Sequence, residues 1–159
     1  MKIKIVAVGE IKEAFWKSAI KEYLKRLSPY SKVDIIEVQD ERCPEQSSLA
    51  LETITKNKEG QKILSHIKQN EFVVALDLNK GECDSVTLSR RLEDMFIKGR
   101  SSITFVIGGS LGLSEEIRNR CNDFITLSKL TFTHQMCRVI LLEQIYRSFK
   151  IMNNEKYHK

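Results

Sequence analysis

No apolar run in this sequence approaches the roughly 20 residues that a membrane-spanning helix needs, so no membrane partner is expected. The opening stretch, MKIKIVAVGE, is too short an apolar run for a secretory signal and reads as a first strand. Four cysteines (Cys43, Cys83, Cys121, Cys137) form no CxxC pair and carry no zinc-finger spacing. That pattern suits reduced thiols in a cytoplasmic protein. The three histidines, at positions 66, 134 and 158, form no ligand cluster, and no metal is expected. Internal repeats, low-complexity tracts and linker-like segments are also missing, so residues 1–159 read as one domain.

What is present is a globular composition, 42% hydrophobic and 30% charged. The net charge of +5 is unevenly spread. Residues 1–32 carry eight Lys or Arg against three Glu, and residues 129–159 carry six against two. Such a balance fits either a polyanionic partner such as RNA or a solvated basic surface.

Periodicity supplies the architecture. KIKIVAV (2–8), KVDIIEV (32–38), FVVALDL (72–78), SSITFVIG (101–108) and DFITLS (123–128) read as strands. Between them, Phe15, Trp16, Ala19, Ile20, Tyr23, Leu24 and Leu27 recur at helical spacing, with Pro29 ending that helix. Leu51, Ile54, Ile63, Leu64 and Ile67 mark a second helix. Ser85 is expected to cap a third, carrying Leu88, Leu92, Met95 and Phe96 and closed by Gly99. A short helix opens at Ser114, and the last runs from about Thr133 to Met152. Strand and helix alternate without tight hairpin signals. The expected fold is α/β, a mainly parallel sheet with helices on both faces. Ligands in such folds sit beyond the carboxyl ends of strands. Three of those ends stand out: Leu76–Leu78, Ile107–Gly112 and Leu127–Thr133.

The stretch FVIGGSLGLS empties a strand into Gly108, Gly109 and Gly112. It is not a GxGxxG fingerprint, because Ile107 stands where the first glycine belongs. Nor is it a P-loop, because Leu113 follows Gly112 where a lysine is needed. Alone it fits a tight strand-to-helix turn as well as a ligand loop. The last helix is apolar almost all round (Met136, Val139, Ile140, Leu141, Leu142, Ile145, Tyr146, Phe149), which calls for burial on all sides. Threading through the core or packing against a second copy would supply it. His134, Arg138, Glu143 and Arg147 lie in the same helix, either as an ion-pair network or as a site shared across an interface.

The segment LSKLTFTHQMCRVILLEQIYRSFKIMNNEKYHK, together with FVIGGSLGLS and LDLNKGE, resembles the RlmH family of ribosomal RNA methyltransferases in the SPOUT superfamily. The likeness runs from MKIKIVAVG through KEYLKRL and Lys58-Glu59-Gly60 to Tyr157-His158. It implies a C-terminal trefoil knot and a homodimer. It also implies S-adenosylmethionine, bound bent against Leu76, against Gly108, Gly109 and Gly112, and against Leu127, Ser128, Lys129, Leu130, Thr131 and Phe132. The implied reaction methylates ring nitrogen 3 of a pseudouridine in helix 69 of 23S ribosomal RNA, on assembled 70S ribosomes. The protein's own share of that chemistry is proximity, orientation and electrostatics.

Within that frame Tyr157 is expected to stack on or hydrogen-bond the base, and His158 to relay its proton. Arg138 and Arg147 suit phosphate or carboxylate recognition, with Glu143 holding one of them. His134 is expected to anchor a loop, and Lys12, Lys17, Lys129 and Lys159 to add salt-sensitive attraction to RNA. Two positions depart from the commoner family pattern: Thr133 replaces a proline before His134, and Lys159 replaces an arginine after His158. Two other functions compete, a methyltransferase for another RNA such as tRNA and a ribosome-binding protein without turnover.

Overall fold

The computed structural model describes residues 1–159. The elements follow in the order β1 (Lys2–Val8), α1 (Ala14–Leu27), β2 (Lys32–Val38), α2 (Leu49–Leu64) and β3 (Phe72–Leu76). Then come α3 (Ser85–Ile97), β4 (Ser102–Ile107), α4 (Glu115–Arg120), β5 (Asp123–Ile125) and α5 (His134–Met152). The five strands form one sheet in the order β2-β1-β4-β3-β5, and every pairing is parallel.

Strand side chains alternate between two cores, as the two-residue period of a strand requires. Ile3, Ile5 and Ala7 of β1, with Ile103, Phe105 and Ile107 of β4, face Leu27, Leu92, Leu141, Ile145 and Phe149 from α1, α3 and α5. Val6, Val8 and Val106 point the other way, onto Ile63 of α2 and Ile117 of α4. Strands covered on both faces tend towards continuous apolar sequence, as IVAV of β1 and FVI of β4 show.

From β3 the chain crosses over α3 to β4, on one flank of β3. It then returns over α4, on the opposite face, to β5 on the other flank. This reversal opens a crevice at the carboxyl ends of β3, β4 and β5. There β3 stops at Leu76 and β5 at Ile125, shorter than their apolar patterns suggest. Residues 77–78 and 126–128 leave the sheet to build the walls of that crevice.

Helix ends follow local chemistry. The cap of α3 is Asp84, not Ser85: its carboxylate accepts from Thr87 N at 2.6 Å. A charged acceptor at a helix N-terminus gains from the dipole as well as the hydrogen bond. Ser85 is the first helical residue, and its hydroxyl donates to Gln144 of α5 at 2.7 Å. Gly99 follows α3 with φ +76°, the left-handed geometry of a helix stop.

Three residues expected in the core lie outside it: Phe15, Leu51 and Ile54 are exposed. In α2 the buried stripe is Thr55, Glu59 and Ile63, one turn apart, and Ile54 falls off it. Helix α5 packs against both α1 and α3. Leu141, Leu142, Ile145 and Phe149 are fully covered, whereas Val139, Ile140 and Tyr146 are half-buried and Met136 is exposed. The all-round apolar pattern is therefore only partly buried within one chain.

Candidate active site

The crevice is a cavity of about 760 Å³. Three loops line it: Leu76–Asn79 after β3, Ile107–Leu113 after β4, and residues from Leu127 to Gln135 after β5, with Arg118 and Cys137 completing the wall. Nine of the ten residues expected to hold a cofactor lie on this lining. The tenth, Lys129, points outward, with its ammonium 3.8 Å from Glu82 and its side chain 81% exposed.

Glycine is needed in the β4 loop because its backbone is packed tightly from behind. A Cβ on Gly109 would come within 2.9 Å of the Glu59 carboxylate, and one on Gly108 within 2.9 Å of Leu113. Gly112 turns the chain with φ +84°. The loop thus presents bare backbone to the cavity.

His134 opens α5 and reaches the cavity wall. Its imidazole covers Gly9, where a Cβ would lie 2.7 Å from Nε2 and where φ is +90°. Gly9→Ala is therefore expected to destabilise the protein by about 1–3 kcal/mol, read as a lowered urea midpoint, with His134 displaced from the wall.

Burial, followed by the nearby Arg138 charge, holds the His134 pKa below its ordinary 6.5. A folded value below the unfolded one means that the unfolded chain binds more protons as the pH falls through this window. Stability from the neutral ring is complete above about pH 6.5 and is lost below it. His134→Gln should flatten the fall in unfolding free energy between about pH 6.5 and pH 5.5. An unchanged slope would contradict the burial argument.

Thr133 caps α5, its hydroxyl accepting from Met136 N at 3.4 Å. Its φ of −61° lies where a proline would fix it. The threonine keeps the junction's backbone geometry and adds an acceptor that proline lacks.

Arg138 does not face the cavity as a phosphate-binding residue would. It is wholly buried. Its Nη1 donates to Glu37 at 2.6 Å, and Nη2 to the carbonyls of Val8 (2.9 Å) and Gly9. Glu37 also accepts from Ile11 N at 3.2 Å. The guanidinium fastens the first turns of α5 to the ends of β1 and β2. It holds a carboxylate as expected, but one supplied by the chain itself.

Arg147, Tyr157 and His158 do come together. The chain turns back after α5 through Asn154 at φ +53°. Glu155 then pairs with Lys150 and accepts from Tyr30 at 2.9 Å. Tyr157 packs edge-on against Tyr146, 5.0 Å between ring centres, and donates to Glu143 at 3.1 Å. Arg147 lies over the Tyr157 ring at 4.8 Å, pairs with Glu143 at 2.5 Å and reaches His158 Nδ1 at 3.3 Å. Burial and the Glu143 charge push the Tyr157 phenol up to about 12. It therefore remains a hydrogen-bond donor at neutral pH and is no proton acceptor.

Cys137, the last residue of α5 on the cavity wall, and Arg147 are ten positions apart. That is about 15 Å along a helix. One chain therefore carries the cavity at one end of α5 and the tail cluster towards the other.

Residues 1–158 match the family described as "Predicted SPOUT methyltransferase". The chain belongs to the SPOUT methyltransferase family. Similar members include proteins named Ribosomal RNA large subunit methyltransferase H. That from Clostridium botulinum (strain Langeland) is 54% identical over 159 residues, all of both chains. Those from Clostridium tetani (54%) and Clostridium novyi (53%) are covered equally. The family inferred from the C-terminal motifs is thus the family found, and its all-parallel α/β sheet is the fold expected.

Neither of the two fully charged residues on the cavity wall of this SPOUT protein, Asp77 and Arg118, was singled out from sequence. Asp77 directly follows the strand end at Leu76, which was its only signal. Arg118 is one of two arginines in a short helix, and no spacing distinguished it.

Proposed function

We propose that the protein is an S-adenosylmethionine-dependent methyltransferase of large-subunit ribosomal RNA, acting through a single SPOUT domain spanning residues 1–159. The finer reading is methylation of ring nitrogen 3 of a pseudouridine in helix 69 of 23S RNA, on assembled 70S ribosomes in the cytoplasm. The observation that carries it is a cavity at three strand ends in a chain matched from end to end by methyltransferases. The fit to the donor is physical. The glycine loop presents backbone without side chains to the cavity, Leu130 and Phe132 add apolar surface, and no lysine or phosphate cradle is present.

Bound there, S-adenosylmethionine supplies an activated methyl group on a cationic sulfur. The chain's residues must do the rest. Leu76, Leu127, Leu130 and Phe132 exclude water from the reacting centre. Thr131, Ser128 and the Gly108–Gly109 backbone fix the donor's orientation. Tyr157, held by Glu143 and Arg147, orients the base. His158, whose imidazole lies beside Arg147, takes the ring-nitrogen proton as the general base of the tail.

The tail and the cavity lie at different parts of α5, so the reading includes a homodimer in which one copy's tail serves the other's cavity. The exposed Met136 and Phe15 and the half-buried Val139 and Ile140 give two copies apolar surface to cover. A trefoil knot in the C-terminal chain belongs to the same reading. It rests on the chain's membership of the SPOUT family.

The test is transfer of labelled methyl to unmethylated whole ribosomes, separated subunits, free ribosomal RNA and tRNA, with the modified nucleoside identified by mass spectrometry. Methylpseudouridine on whole ribosomes alone is the expected result. Label on tRNA would replace the substrate. Ribosome binding without label would leave a non-catalytic binder.

A further inference from the structure

Only two residues on the cavity wall carry a full charge, Asp77 and Arg118, and they pair with each other. Asp77 sits one position past β3, its backbone N–H still bonded to Ile125 O at 2.9 Å. Its side chain is 1% exposed. One carboxylate oxygen accepts from Asn79 N at 2.8 Å. The other meets a guanidinium nitrogen of Arg118 as an ion pair without the alignment of a directed hydrogen bond, and has no hydrogen-bond donor. A carboxylate so deeply buried and so sparsely satisfied is costly unless something else completes its shell. Arg118 comes from α4, is 38% exposed, and has no other acceptor. The remaining lining offers apolar side chains, hydroxyls, amides, backbone, the Cys137 thiol and the His134 ring.

We propose that Asp77 and Arg118 form the subsite for the amino-acid end of the methyl donor, with Asp77 receiving its ammonium and Arg118 its carboxylate. This rests on the donor reading of the cavity given above. The donor's zwitterionic head carries two charges that should not enter a largely apolar cavity unpaired. An ammonium brings the directed donors that Asp77 lacks. A carboxylate suits the free prongs of a guanidinium. Each charge then lies between two of opposite sign, so the existing ion pair is extended, not broken. The adenosine portion is left to the glycine loop and the apolar wall.

Binding to the purified full-length protein is measured by calorimetry with two probes. S-adenosylhomocysteine keeps the amino-acid end, and 5′-methylthioadenosine has the same adenosine and sulfur without it. Wild-type protein should prefer S-adenosylhomocysteine by about tenfold to a hundredfold, the range of one or two charge-assisted hydrogen bonds. Asp77→Asn and Arg118→Gln should each cut that preference to about threefold or less, with methylthioadenosine affinity nearly unchanged. Arg118→Gln, at a half-exposed position, gives a folded test if Asp77→Asn does not fold. Equal wild-type affinity for the two probes overturns the assignment alone, as does a variant that weakens both probes alike or neither. Failure of both probes to bind wild-type protein overturns the donor reading, and the subsite with it.

Discussion

Replacing Arg138 by methionine is expected to cost about 3 kcal/mol of folding free energy, near the low end for breaking a buried ion pair. The low end applies because Glu37 is about one-third exposed and regains water when its partner leaves. The backbone oxygens of Val8 and Gly9 are the larger loss, since the arginine's Nη2 is the side-chain donor that reaches both. Methionine keeps much of the volume, so the change reports the missing donors and not a cavity. The measurement is urea unfolding at fixed protein concentration, which holds any contribution from association constant. A loss below about 1 kcal/mol would fall within the range of a surface ion pair and would remove Arg138 as the bolt between α5 and the sheet. Donor binding should weaken in parallel, because the same turn of α5 carries His134 and Cys137 to the cavity wall.

The second large effect is catalytic. His158→Ala is expected to lower methyl transfer by about 10²- to 10⁴-fold, the span of general acid–base catalysis. Donor affinity should stay within about twofold, since His158 is exposed and far along the chain from the lining residues. Arg147→Ala should do nearly as much, as it frees both the Tyr157 ring and His158 Nδ1. The decisive comparison is turnover against cofactor affinity in single-turnover reactions. Equal losses in both would make the tail a structural clamp. Unchanged turnover would remove His158 from the chemistry.

The strands were legible because their faces are covered on both sides, so β1 and β4 show as mainly apolar stretches, interrupted only by Lys4 and Thr104 once past their first residues. Three loops of the cavity were legible for a simple reason: strand ends are visible wherever apolar runs stop. The pairing of Asp77 with Arg118 was not. Nothing within five residues of Asp77 signals that Arg118 will face it, because that contact depends on how α4 docks on the sheet. Arg138 misled in the opposite way. An arginine in an apolar helix looks like a ligand for an outside anion, yet the acceptors that claim it lie 101 and about 130 positions earlier in the chain. Phe15 shows the limit of periodicity, which marks an apolar stripe but not which part of it the fold covers.

The parallel pairing of β1 with β4 joins residues 2–7 to 102–107. During synthesis from the N-terminus β1 can meet β2 early, but its other edge has no partner until two-thirds of the chain has been made. Contacts of such sequence separation fold slowly. The bond from Arg138 to Glu37, Val8 and Gly9 waits longer still. The cavity is therefore the last part of the molecule to be completed, and a nascent chain halted before α5 would leave one face of β1 and β4 uncovered and lack the part of the cavity wall that His134, Gln135 and Cys137 supply.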